Sequence, residues 1–114
     1  MMARAVPVQL QELLESKRRQ FAAGLPARMA ELAQLQGSVR AHPMPGDFER
    51  LARIAHGLAG SSALFGFDAL GAQARALQLE LQSATAGGAT PPGQRNAAID
   101  AAIQRVRDCA SGAR

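Results

Sequence analysis

His56 is the residue whose type and setting could do chemistry. It stands in the run Ala55-His56-Gly57-Leu58-Ala59-Gly60-Ser61-Ser62, with small residues at 57, 60 and 61. Imidazole is a good nucleophile near neutral pH, because an ordinary pKa of about 6.5 leaves much of it unprotonated. With one ring nitrogen held by a hydrogen bond, the other can attack. The surrounding spacing is helical: Phe48, Leu51, Ala55, Leu58, Ser62 and Phe65 form one stripe. With Ala55 at the centre of that stripe, His56 falls about 100° away, at its edge. Gly60 lies one turn further on, beside it. A glycine inside a helix costs about 1 kcal/mol against alanine. Gly57 and Gly60 next to an edge histidine argue for a backbone kept bare so that another molecule can come close. The plain alternative is a histidine that only rims the core.

Other chemistry is thinly supplied. A single cysteine, Cys109, excludes an internal disulfide and a cysteine-based zinc site, and reads as a small half-buried side chain. His42 precedes Pro43 in a loop and reads as inert; two histidines without a carboxylate cluster make no metal site. Lys17-Arg18-Arg19 reads as a solvated helix face. The net charge of +4 and a sequence pI near 11.0 raise a nucleic-acid reading. Leu51 to Leu70 could imitate a helix-turn-helix, with Ala55 and Gly60 near turn-like spacing. Against this, Ser61-Ser62-Ala63-Leu64-Phe65 has few polar side chains to read bases, and the basic residues are scattered.

The elements that must position His56 are helices. The chain has 114 residues, one domain's worth, and is 47% hydrophobic. Alanine (25) and leucine (13) dominate, whereas Val, Ile and Thr total only nine and there is no Tyr or Trp, so an all-β fold is nearly excluded. A thin helical domain of this size leaves little room for a large catalytic pocket. From Val8 to Val39 the stripe Leu10, Leu14, Phe21, Leu25, Leu32, Leu35 and Val39 is helical, but Gly24 and Pro26 interrupt it. This predicts a short first helix and a longer second one, or one helix kinked near Pro26.

His42 to Gly46 is a loop and Asp47 an N-cap for a helix from Phe48 to Leu64. Gly66 ends that helix in a left-handed cap, and Asp68 caps the next, which runs to Ala84 on Leu70, Ala74, Leu77 and Leu81. Gly87 to Gly93 is a loop. A last helix, Gln94 to Ala110, buries Ile99, Ala102, Ile103 and Val106. The expected architecture is all-α: an antiparallel four-helix bundle with a short additional N-terminal helix, a single domain over 1–114 whose ends, 1–6 and 111–114, fray. No apolar run approaches the roughly 20 residues that span a bilayer, and the N-terminus lacks the apolar stretch of a secretory signal. The scarcity of cysteine suits a reducing cytoplasm.

The run from Ala55 to Ser62, followed by Phe65-Gly66-Phe67 and Leu70, resembles the signature of histidine-containing phosphotransfer (HPt) domains. Ala74 and Leu77 continue the resemblance, and Phe21 to Arg28 is similar to the family's entry helix. The resemblance implies that His56 accepts a phosphoryl group from an aspartyl-phosphate of a receiver domain and passes it to another. It implies a phosphocarrier and not an enzyme, with no ATP site and no cofactor of its own, the Mg²⁺ being supplied by the receiver. Its partners would be receiver domains of a hybrid histidine kinase or response regulator, with no nucleic acid and no membrane, and the chain would be a monomer. Gln78 falls where family members often hydrogen-bond the imidazole; a solvated helix glutamine is the alternative. Arg53, Gly57, Gly60 and Ser61 would meet the partner, with Arg50, Arg53 and Arg75 as a basic rim that aids encounter with an acidic receiver. One departure stands out: the family often has Lys three residues after the histidine, and this chain has Ala59. Arg53 could supply that charge, or be an ordinary exposed arginine. The competing reading is a helical adaptor or DNA-binding module whose His56 is never phosphorylated.

Overall fold

The stripes of apolar residues at helical spacing fold into four helices in the computed structural model of the chain, which describes residues 7–86 and 91–112. They are α1 (Val8–Ala41), α2 (Asp47–Phe65), α3 (Asp68–Thr85) and α4 (Pro92–Gly112). Each packs on its neighbours in order, and α4 closes back on α1. Short connections make successive helices antiparallel. Leu51, Ala55 and Leu58 of α2, Leu70, Ala74, Leu77 and Leu81 of α3, and Ile99, Ala102, Ile103 and Val106 of α4 meet Phe21, Leu25, Leu32, Leu35 and Val39 of α1 in one core. No helix among the described residues is long and apolar enough to cross a membrane.

The bundle is as expected, but the short additional N-terminal helix is not a separate element. It is the first part of α1, which runs through Pro26 without a break. Proline lacks the N–H that would bond the carbonyl four residues back, a loss of about 3 kcal/mol in a helix interior. Leu25 and Leu32, buried on either side of Pro26, hold both halves of the helix to the same core. Pro26 itself is exposed, beside a groove of about 610 Å³ lined by Ala22, Leu25, Met29 and Ala110.

The helical stripe begins where expected, but its first members, Leu10 and Leu14, are 43% and 42% exposed. A 34-residue helix is about 51 Å long, against about 28 Å for the 19 residues of α2. Antiparallel pairing puts Phe21 beside the α2–α3 turn, where its ring stacks on Phe65 and Phe67 at 5.7 and 5.4 Å. The first turns of α1 therefore project past the end of the hairpin, and among the described residues no helix covers the stripe there.

The turns follow the residue chemistry with two adjustments. Gly46 and Gly66 adopt φ of 88° and 83°, the left-handed region that glycine enters without steric penalty. Gly66 is the C-cap of α2, where the amide of Phe67 donates to the Ser62 carbonyl at 2.8 Å. Asp47 and Asp68 are the first residues of their helices, and neither side chain caps. Asp47 is buried and accepts instead from the amide of Met44 at 2.8 Å, which folds the loop onto the helix start. Ser111 and Gly112 continue α4 where fraying was expected; residues 1–6, 113 and 114, and 87–90 of the expected loop, lie outside the described residues.

A polar network joins α1 to α4, and no stripe announced it. Gln36 is buried, and its amide donates to Asp100 Oδ1 at 2.6 Å and Gln104 Oε1 at 3.1 Å. Arg107 donates to Gln36 Oε1 at 2.7 Å, and Arg40 Nε to the Asp100 carboxylate at 2.9 Å. The Arg40 hydrogen bond holds the Asp100 carboxyl below the usual carboxylate range; partial burial opposes this and the Gln36 amide adds to it. A carboxyl depressed in the folded state stabilises it above the unfolded pKa of about 4, and that stability is lost as pH falls through the folded value. Asp100→Asn should therefore be less stable than wild type by about 1 kcal/mol at pH 6. The gap should close as urea unfolding is repeated at progressively lower pH below 4. A gap independent of pH would contradict the assignment.

Among the described glycines, Gly71 is the one set against another helix. A Cβ there would stand 3.3 Å from Ser62 Cβ and 3.7 Å from the Ala59 carbonyl oxygen. A larger side chain has to push α3 away from α2. Gly71→Leu should destabilise the fold by about 1–3 kcal/mol in urea unfolding, and an unchanged midpoint would show that the helices part freely.

Candidate functional site

The site is built on the α2–α3 hairpin. The stripe of α2 turns Leu51, Ala55 and Leu58 inward, which leaves His56 exposed on the outer face. By helical spacing Glu49, Arg53, Gly60 and Ala63 share that face, and all four are exposed. Leu64 follows at 69% exposure. A Cβ added at Gly57 or Gly60 would meet nothing within 4 Å. Neither glycine is required by packing among the described residues, so the backbone beside His56 is open for some other reason.

Gln78 comes from α3. Its amide Nε2 is 3.1 Å from His56 Nδ1, and the side chain is half-buried in the seam between the helices. The ring is thus held at one nitrogen. Nε2 of His56 has no hydrogen-bond partner among the described residues and belongs to an exposed side chain. An imidazole anchored at one nitrogen and open at the other holds its free edge where an incoming electrophile can reach it.

The remaining expected site residues divide. Gly57, Gly60 and Arg53 are on or beside the His56 face. Ser61 is not: it lies about 140° round the helix from His56 and is half-buried on the flank towards α1. Arg53 and Arg75 are exposed and make no ion pair among the described residues. Arg50 is tied to Glu31 of α1 at 2.9 Å, so it is not a free rim charge. Ala59 is half-buried against α3 and contributes no charge.

Two other readings are revised. Ala55 and Gly60 lie inside one unbroken helix, so Leu51 to Leu70 forms no helix-turn-helix at that spacing. Arg18 is more than a solvated charge: its Nε donates to the Phe65 carbonyl at 3.2 Å and its guanidinium lies 4.9 Å from the Phe67 ring centre. It meets the negative end of the α2 dipole and ties the α1 projection to the hairpin turn. His42 ends α1 as its exposed C-cap, and Cys109 is half-buried. Among the described residues no three of His, Cys, Asp and Glu gather where a metal could sit.

Gly71 and Gln36 were missed by reading the sequence. A glycine in a helix next to an aspartate cap looks like a weak helix start, and its signal is only the alignment with Ser62 across a short turn. Gln36 sits one residue after the buried Leu35, in a register that spacing alone does not separate from the solvated side.

Among curated proteins and solved structures no significant match to the chain was found. A family model described as Hpt domain matches residues 9–109. The match reaches into all four helices and takes in His56, Gln78 and the glycines between them. It brings with it a phosphotransfer role in two-component signalling and interaction with receiver domains. A bundle that keeps one histidine tethered and uncovered is what such a carrier needs, and this chain belongs to the Hpt domain family.

Proposed function

We propose that this chain accepts a phosphoryl group on His56 Nε2 from the aspartyl-phosphate of one receiver domain and hands it to the aspartate of another. The observation that carries the reading is the exposed imidazole, tethered to Gln78 through Nδ1 alone on a helix face bare at Gly57 and Gly60. The Nε2 lone pair forms a bond to phosphorus. The bond from phosphorus to the aspartate oxygen breaks, and its electron pair stays on the carboxylate. Return transfer runs the same exchange in reverse with a second receiver. The Mg²⁺ and most of the charge stabilisation belong to the receiver. What this chain contributes is an oriented nucleophile and room for the partner's active-site rim. Arg53 and Arg75 flank that room with positive charge, which favours encounter with an acidic surface. A monomer suffices, because both His56 and Gln78 come from one hairpin.

The reading is tested by offering a phosphorylated receiver, with Mg²⁺, to wild type and to His56→Gln. Acid-labile, base-stable label should appear on wild type only. The variant should keep its helical circular dichroism and lie within about 0.5 kcal/mol of wild type, since the ring is on the surface. If His56→Gln unfolds, the histidine is structural, and if it takes up the same label, another residue is the acceptor.

Gly60→Gln separates docking from folding. With open space at its Cβ, the variant should be as stable as wild type or up to about 1 kcal/mol more so. Its transfer rate from the receiver should fall by about tenfold or more, as for a loss of about 1.4 kcal/mol at a contact surface. Stopped-time labelling that shows the wild-type rate would remove the close-approach argument.

A further inference from the structure

Gln78 presents its amide nitrogen, and not its oxygen, to His56 Nδ1. An amide nitrogen only donates, so with this end inward Gln78 suits the neutral ring whose proton is on Nε2 and whose Nδ1 accepts. A protonated Nε2 has no in-plane lone pair to give to phosphorus. That tautomer is a resting one. A half-turn of the terminal amide brings Oε1 to the same place. Oε1 then accepts from Nδ1–H and leaves Nε2 free to attack. That torsion is broad and close to two-fold. The amide makes no other hydrogen bond among the described residues, and the side chain is only half-buried. Nothing in its surroundings pins one orientation.

We infer that Gln78 is a two-way positioning residue whose amide orientation selects which nitrogen of His56 carries the proton, before and after phosphorylation. This rests on the phosphotransfer reading above. With Oε1 turned inward, attack by Nε2 leaves a cationic ring whose proton stays on Nδ1, hydrogen-bonded to Gln78. From that state the phosphoryl group departs easily, because the leaving group is neutral imidazole. Loss of the Nδ1 proton to water gives a neutral phosphoimidazole with a bare Nδ1. The amide then turns its N–H₂ inward and donates to it. From this state departure would leave an imidazole anion, so the phosphoryl group is stored. Glutamine serves both states, an ionised glutamate only the first, and leucine neither.

The charges around the pair are few. Arg53 and Glu49 share the outer face of α2, and Arg75 stands one turn before Gln78 on α3. From α1 the charges that reach α2 are Glu31, paired with Arg50, and Arg18, on the Phe65 carbonyl; from α4 the charge that reaches α3 is Arg95, on the Ala84 carbonyl. All of these are retained in variants at position 78. Gln82→Glu, one exposed turn along α3, adds the same charge as Gln78→Glu without meeting the ring, and serves as its control.

The experiment combines ¹⁵N NMR of the His56 ring with the pH profile of label loss from the isolated phosphoprotein. The proteins are wild type, Gln78→Leu, Gln78→Glu and Gln82→Glu, each first checked for the helical spectrum. Gln78→Glu should move the ring towards the Nδ1–H tautomer. It should also raise the pH at which label is lost rapidly by about one to three units, as expected for a carboxylate in contact with the protonated ring. Gln82→Glu should follow wild type. Gln78→Leu should change the tautomer ratio from wild type and shorten label lifetime at high pH, where wild type stores the group. Identical ring spectra and pH profiles in wild type, Gln78→Leu and Gln78→Glu would overturn the inference. A wild type that takes no label from any receiver, while the ring spectra still respond to position 78, would sink the phosphotransfer reading and leave the tautomer control standing.

Discussion

The close approach of α2 and α3 is the constraint on which the site depends. In an antiparallel pair, residues whose numbers add to the same sum lie across from one another. Ser62 and Gly71 meet by this rule, and His56 and Gln78 meet two turns away in almost the same register. The bare Gly71 lets the two backbones come near enough for a glutamine to reach an imidazole on the neighbouring helix. The left-handed turn at Gly66 sets the register from the other end. The tether on the histidine is thus a consequence of how a helical hairpin closes, reached through packing some 10 Å from the ring.

The rest of the molecule keeps that hairpin in place and leaves its outer face alone. α1 and α4 cover the inner faces, joined to each other by the Gln36, Asp100, Arg40 and Arg107 network. Burying a glutamine is favourable only if its amide is satisfied, and here both ends of it are. Such a network is directional, so it fixes how α4 is rotated against α1 in a way that leucine against isoleucine would not. Arg18 does similar service at the opposite end, holding the projecting part of α1 to the turn between α2 and α3.

Openness around His56 conflicts with helix stability. Gly57 and Gly60 each weaken α2 by about 1 kcal/mol relative to alanine, and neither is needed to avoid a clash. A family of carriers that must admit the rim of a receiver has a reason to accept this. Ala59 puts no charge one turn from His56, which leaves Arg53 and Arg75 as exposed cations beside this face.

Much of this was legible in the amino-acid order. Stripes at 3.6-residue spacing located α2, α3 and α4 and nearly all of their buried residues, because burial on one face leaves a periodic trace. His56 with its glycines was legible as a candidate site for the same reason in reverse, since small residues inside a helix contradict local propensity. Three things were settled only by tertiary structure. Whether Pro26 breaks α1 depended on core contacts on both sides of it, which local propensity does not contain. Whether Leu10 and Leu14 are covered depended on where α2 ends, a matter of comparative helix length. Whether Gln78 reaches His56 at all depended on the distance between two helices, and that distance is set by a glycine that a one-dimensional reading has no means to pair with Ser62.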